Sequence, residues 1–147
     1  MKILVVDDVK NEQEGAVDQL GSRHELTVVD NYHAGMNAIH SQEWDAVLTD
    51  MMMPSREGLQ PYGFVLAAMA QARGIPVAIV SAGNHHDHPM LFAAEDIGGK
   101  VSEKFFVLAA EYCPRTEGGK NWAEALKVLS GQAEAVPHRA TGSCGTM

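Results

Sequence analysis

The sequence predicts one α/β domain, a doubly wound parallel sheet built from five βα units, and three observations predict it. Short runs rich in Val, Ile and Leu alternate with longer segments of helical period. Glycines stand where those helical segments should end. Polar residues follow directly on the apolar runs, at the edge of the sheet where such folds bind ligands. Strands are expected near Lys2–Val6, Glu25–Val29, Ala46–Thr49, Pro76–Ser81 and Phe105–Ala110. Helices fit between them near Asn11–Leu20, His33–Ser41, Tyr62–Ala72 and Pro89–Asp96, with a last one near Asn121–Leu129. Gly21, Gly74, Gly98 and Gly131 follow helices, where a left-handed residue commonly ends one. Pro89 suits a first helical position, whose N–H would be unpaired in any case. Trp122, Ala125, Leu126 and Leu129 form one apolar stripe on the last helix. The third helix, Phe64-Val-Leu-Ala-Ala-Met-Ala70, is apolar nearly all round, as expected of deep burial or of a surface that meets a partner.

Composition narrows the function. The 147 residues suit one core, and 46% hydrophobic with 20% charged residues describes an ordinary globular chain. A domain over 1–130 is expected, with a mobile tail over 131–147, where Gly, Pro, Ser and Thr leave little apolar surface to bury. A net charge of −8 opposes attraction to a phosphate backbone, so direct nucleic-acid binding is not expected. No apolar run reaches the ~18 residues of a membrane span, and the start MKILVVDD turns acidic where a signal peptide would stay apolar. A cytoplasmic protein is expected. Cys113 and Cys144 have no CxxC spacing and read as reduced thiols.

Three strands end on chemistry. The first runs ILVV into Asp7-Asp8, the third AVLT into Asp50, and the fourth VAIV into Ser81. In the flavodoxin-like strand order 2-1-3-4-5 these ends are neighbours, and the four residues converge on one shallow cleft. Crowded carboxylates repel, so either their pKa values rise or a cation neutralises them. Magnesium, which takes hard oxygen ligands, suits the second outcome and would hold an incoming phosphoryl group beside Asp50. Attack by that carboxylate would give an acyl phosphate, later hydrolysed by water. One Asp at a strand end is commonly only a turn or cap residue; the joint pattern is what points to a site.

The stretches Lys2-Ile-Leu-Val-Val-Asp-Asp8, Asp45-Ala-Val-Leu-Thr-Asp-Met-Met-Met-Pro54 and Pro76-Val-Ala-Ile-Val-Ser-Ala82 resemble the characteristic segments of two-component receiver domains. The resemblance covers roughly residues 1 to 100. It implies a phosphoacceptor at Asp50, Mg2+ held by Asp7, Asp8, Asp50 and the backbone carbonyl of Met52, and a switch hydroxyl at Ser81. It implies as partners a histidine kinase or phosphotransfer protein and a downstream protein target; homodimer formation is left open.

Receivers also carry a lysine at the end of strand five, and here two registers compete. The family spacing lands on Lys104, which requires the poor strand Lys100-Val-Ser-Glu103. The apolar run Phe105–Ala110 is the better strand and is slightly preferred, placing Glu111 at the site end, where an acid would repel phosphate. The leading expectation, resting on the acidic cluster and the resemblance, remains a stand-alone receiver phosphorylated on Asp50, a phosphoacceptor rather than a conventional enzyme. The alternative is a pseudo-receiver that binds a partner, or a metal through His85, His86 and His88, without phosphorylation. A haloacid-dehalogenase-type phosphatase would need Asp-x-Asp after the first strand, and a flavin site a Ser/Thr/Gly-rich loop there. The sequence has neither. The long link Ser55–Gly63 is expected to be a lid over Asp50 or a plain insertion.

Overall fold

The computed structural model describes residues 1–80, the main chain of 105–108, and residues 119–131. Its elements are β1 (Lys2–Val6), α1 (Lys10–Leu20), β2 (Glu25–Val29), α2 (Tyr32–Ser41), β3 (Ala46–Thr49), β4 (Met53–Ser55), β5 (Gly58–Gln60), α3 (Tyr62–Ala72), β6 (Val77–Val80), β7 (Phe105–Leu108) and α4 (Trp122–Leu129). The main sheet has five strands in the order β2-β1-β3-β6-β7, all parallel. Without the inserted hairpin β4–β5, this is the expected 2-1-3-4-5.

Both faces of the sheet are covered, which is why its inner strands read as unbroken apolar runs rather than as alternation. Successive side chains point to opposite faces. Leu4, Val6, Val47, Val77 and Ile79 join Ile39 of α2 and Phe64, Leu66, Ala67 and Ala70 of α3 on one side. Ile3, Val5, Leu48, Ala78 and Val80 join Ala16 and Leu20 of α1 and Trp122, Ala125 and Leu126 of α4 on the other. Each large apolar side chain so buried contributes about 1.5–3 kcal/mol.

Helix α3 buries Gly63, Phe64, Leu66, Ala67 and Ala70 while Val65 stays 40% exposed. Its apolar character all round thus combines one buried face with an apolar outer one. Gly74 and Gly131 take the left-handed conformation after their helices, at φ 73° and 76°. Gly21 does not: its φ is −66°, because the chain continues its right-handed winding, with Arg23 and His24 N–H donating to the Leu20 carbonyl.

The link after β3 is a two-stranded antiparallel hairpin, which the sequence reading did not foresee. Its turn Ser55-Arg-Glu-Gly58 places Ser at the first and Gly at the fourth position, both favoured in β-turns. Gly58 sits at φ 96°, the Glu57 N–H donates to Ser55 Oγ at 3.1 Å, and that hydroxyl donates to the Gly58 carbonyl at 2.8 Å. The expected helix at Pro89–Asp96 lies outside the described residues, as do Ser81, Lys104, Glu111, the loop of His85, His86 and His88, and the tail beyond Gly131. Among the described residues, no helix is long and apolar enough to cross a membrane.

Candidate functional site

Register brings the acidic residues together. β1 and β3 run parallel with Val6 opposite Thr49, so the next residues, Asp7 and Asp50, leave neighbouring strand ends side by side. The Asp7 N–H donates to the Val29 carbonyl and that of Asp50 to the Val6 carbonyl, extending the ladder one step into the site. Asp8 completes the group, and one carboxylate oxygen from each residue lies within 4.8 Å of the others. Met52 follows two residues after Asp50, between Met51 and Met53, which are both fully buried.

Local hydrogen bonds fix two of the three carboxylates. Asp7 Oδ1 accepts from the Val9 N–H at 2.9 Å, and Asp50 Oδ1 accepts from the Met51 N–H at 2.8 Å. Helix α3 then closes on the Asp50 main chain: the Gly63 N–H donates to the Met51 carbonyl, and a Cβ at Gly63 would stand 2.1 Å from the Asp50 carbonyl oxygen. Only glycine permits that approach.

A lysine not foreseen from the sequence, Lys120, meets these carboxylates. Lys120 Nζ donates to Asp7 Oδ2 at 2.5 Å and to Asp50 Oδ1 at 2.8 Å, 5.4 Å from the centroid of the buried Trp122 ring. Lys104 and Glu111, between which the sequence left the fifth-strand position open, lie outside the described residues, whereas β7 occupies the apolar run that the preferred register assigned to it. A signal for Lys120 did exist. In a parallel βα sheet each loop leading into a helix runs along the ligand-binding edge, and Lys120 immediately precedes Asn121, whose side chain caps α4 by accepting from the Glu124 N–H.

The charges do not balance. Burial, opposed by Lys120 and reinforced by Asp7, raises the Asp50 pKa to about 6. Asp7 is also raised, by burial first, against the pull of Lys120 and the Val9 N–H. Burial disfavours the Lys120 ammonium, but Asp50 and Asp7 outweigh it and raise its pKa. With all three carboxylates ionised, one ammonium leaves two formal negative charges, which a divalent cation would offset. The donor set is all hard oxygen, as Mg2+ prefers. This cluster could hold such a metal ion.

Comparison with known proteins agrees with this fold. Among solved structures the chain is similar to the response regulator TrrA of Thermotoga maritima, in complex with Mg2+–BeF, with 21% identity over 88% of this chain and 99% of that one and a TM-score of 0.59. It is similar to the receiver domain of a sensor histidine kinase of Pseudomonas aeruginosa with a magnesium ion in its active site cleft, with 20% identity over 88% and 94% of the two chains and a TM-score of 0.58. It is also similar to a Francisella response regulator receiver domain, with 17% identity over 95% and 98% and a TM-score of 0.58. A search of curated proteins gives no match. The model of the response regulator receiver domain matches residues 3–101, which carry all three clustered carboxylates and end before Lys120. With that match, a sheet in receiver order and Asp7, Asp8 and Asp50 gathered at its ligand edge, the chain belongs to the response regulator receiver domain family.

Proposed function

We propose that this receiver accepts a phosphoryl group on Asp50, from a histidine kinase, a phosphotransfer protein or a small acyl phosphate, and signals by protein–protein contact. The observation that carries the reading is the convergence of Asp7, Asp8, Asp50 and Lys120 on one point of the sheet edge. An Asp50 oxygen attacks phosphorus, the bond from phosphorus to the donor's nitrogen or oxygen breaks, and the leaving group departs with that electron pair. Asp7, Asp8, Asp50 and the Met52 carbonyl would hold Mg2+, which when bound offsets the charge on the transferring phosphoryl oxygens.

Lys120 supplies the protein's own part of that neutralisation. It pairs with Asp7 and Asp50 before transfer, and its donors are then available to a phosphoryl oxygen. Lys120 thereby takes the role for which the sequence offered Lys104, and it supplies a cation in either register of the fifth strand. Ser81, the residue after β6, would donate its hydroxyl to the phosphoryl group and couple the site to the rest of the fold.

The test is intact mass after incubation with acetyl phosphate and Mg2+. The parent should gain one phosphate and Asp50→Asn should gain none. A folded, Mg2+-binding parent with no gain would instead support a pseudo-receiver that signals by binding alone.

A further inference from the structure

Lys120 must aim a long, freely rotating stem at Asp7 and Asp50, yet its main chain belongs to neither β7, which ends at Leu108, nor α4, which begins at Trp122. Side chains of α1 hold it. Glu12 Oε1 accepts from the Lys120 N–H at 2.9 Å. Gln19 Nε2 donates to the Lys120 carbonyl at 3.0 Å, and Gln19 Oε1 accepts from the Ala123 N–H at 2.9 Å. Glu12, Ala16 and Gln19 are spaced i, i+4 and i+7 on one face of α1, and the fully buried Ala16 lies in the same cluster as Trp122 and Ala125 of α4. The same helix reaches the acidic side, where Gln13 Nε2 donates to the Asp7 carbonyl at 2.8 Å.

We propose that Glu12 and Gln19 are positioning residues that set the Lys120 ammonium against Asp7 and Asp50, a role that rests on the phosphorylation reading for its consequence but not for its geometry. An ammonium on a four-carbon stem has a defined place only when the base of the stem is fixed. In this chain α1 fixes both peptide groups of Lys120, and the acceptor on its N–H is a carboxylate, which makes that hydrogen bond stronger than a neutral one. Losing either grip leaves the carboxylates in place and displaces their cation. Phosphoryl transfer then slows, while Mg2+, which Lys120 repels, binds as tightly as before or more so. A general loosening of the fold would weaken both.

The experiment compares Glu12→Ala, Gln19→Ala and the double variant with the parent and with Lys120→Met, all on a Trp44→Phe background that leaves Trp122 as the sole tryptophan. It follows the rate of phosphate gain from acetyl phosphate by intact mass, the Mg2+ affinity by Trp122 fluorescence, and the Trp122 indole N–H resonance. The double variant should react about tenfold more slowly, with Mg2+ affinity unchanged or increased and the indole resonance shifted toward that of Lys120→Met. Glu12→Gln, which keeps an oxygen acceptor for the Lys120 N–H, should restore the rate. A folded double variant with the parental rate and resonance would overturn the proposal. So would Mg2+ binding that weakens in step with the rate, or a Glu12→Gln variant as slow as Glu12→Ala. If the parent itself gains no phosphate, it is the phosphorylation reading that fails. The indole comparison with Lys120→Met then decides the positioning role by itself.

Discussion

Asp7, Asp8 and Asp50 stand at the ends of two paired strands, whereas Lys120 reaches them from a segment anchored by side chains of α1. The carboxylates are fixed by the sheet: once Val6 and Thr49 pair, Asp7 and Asp50 are neighbours whatever surrounds them. The ammonium is fixed by a packing contact between the first and last helices of the described chain. Acidic and basic halves of one site therefore have different vulnerabilities, the first to changes in strand register and in what packs on the strand ends, the second to changes on a helix surface.

The sharpest break of that contrast is Lys120→Met. It removes the buried cation and leaves Asp7 and Asp50 uncompensated, so unfolding in urea at pH 7 without divalent cation should show a loss of about 3–5 kcal/mol. Added Mg2+ should recover part of it. On the carboxylate side, Gly63→Ala drives a methyl group into the Asp50 carbonyl and forces α3 off the strand end. About 2–3 kcal/mol should be lost by the same measurement, and Mg2+ affinity should fall because Asp50 moves.

Asp50→Asn should act in the opposite direction. A carboxyl whose pKa rises from 3.8 to about 6 is destabilising when ionised, and that shift corresponds to about 3 kcal/mol at pH 7. Because Asn is a neutral but imperfect stand-in for the protonated carboxyl, a net gain of about 1–2 kcal/mol is expected without Mg2+. The sign carries over to pH. Between the unfolded value near 3.8 and the folded value near 6 the native state holds a proton that the unfolded state has released. Stability contributed by this group is therefore greatest below about pH 4, falls as pH rises through the window, and levels off above it. Asp7, also raised, acts in the same sense. Melting temperature followed from pH 4 to 7 should show this component in the parent and lose most of it in Asp50→Asn.

The smallest effect belongs to the hairpin. Gly58→Ala places a side chain at φ 96° in open space, so the cost is local and about 1 kcal/mol. Unchanged Mg2+ affinity would show that the hairpin is not part of the carboxylate framework, and a changed one would add it.

The amino-acid sequence by itself determined β1, β2, β3 and β6, the sheet order and the acidic cluster. Each rests on short-range pattern: an apolar run buried on both faces, followed at once by Asp7-Asp8 or Asp50. The hairpin went unread because three-residue strands carry too little pattern, although its Ser55–Gly58 turn is spelled out locally. Only the tertiary structure shows that Lys120 meets Asp7 and Asp50. The helix cap after Lys120 marks only its loop, whereas its main chain is held by hydrogen bonds to Glu12 and Gln19, about a hundred residues earlier in the chain. A strand end announces its chemistry through its own neighbours in sequence. A residue placed by helix packing takes its position from groups that become neighbours only after folding.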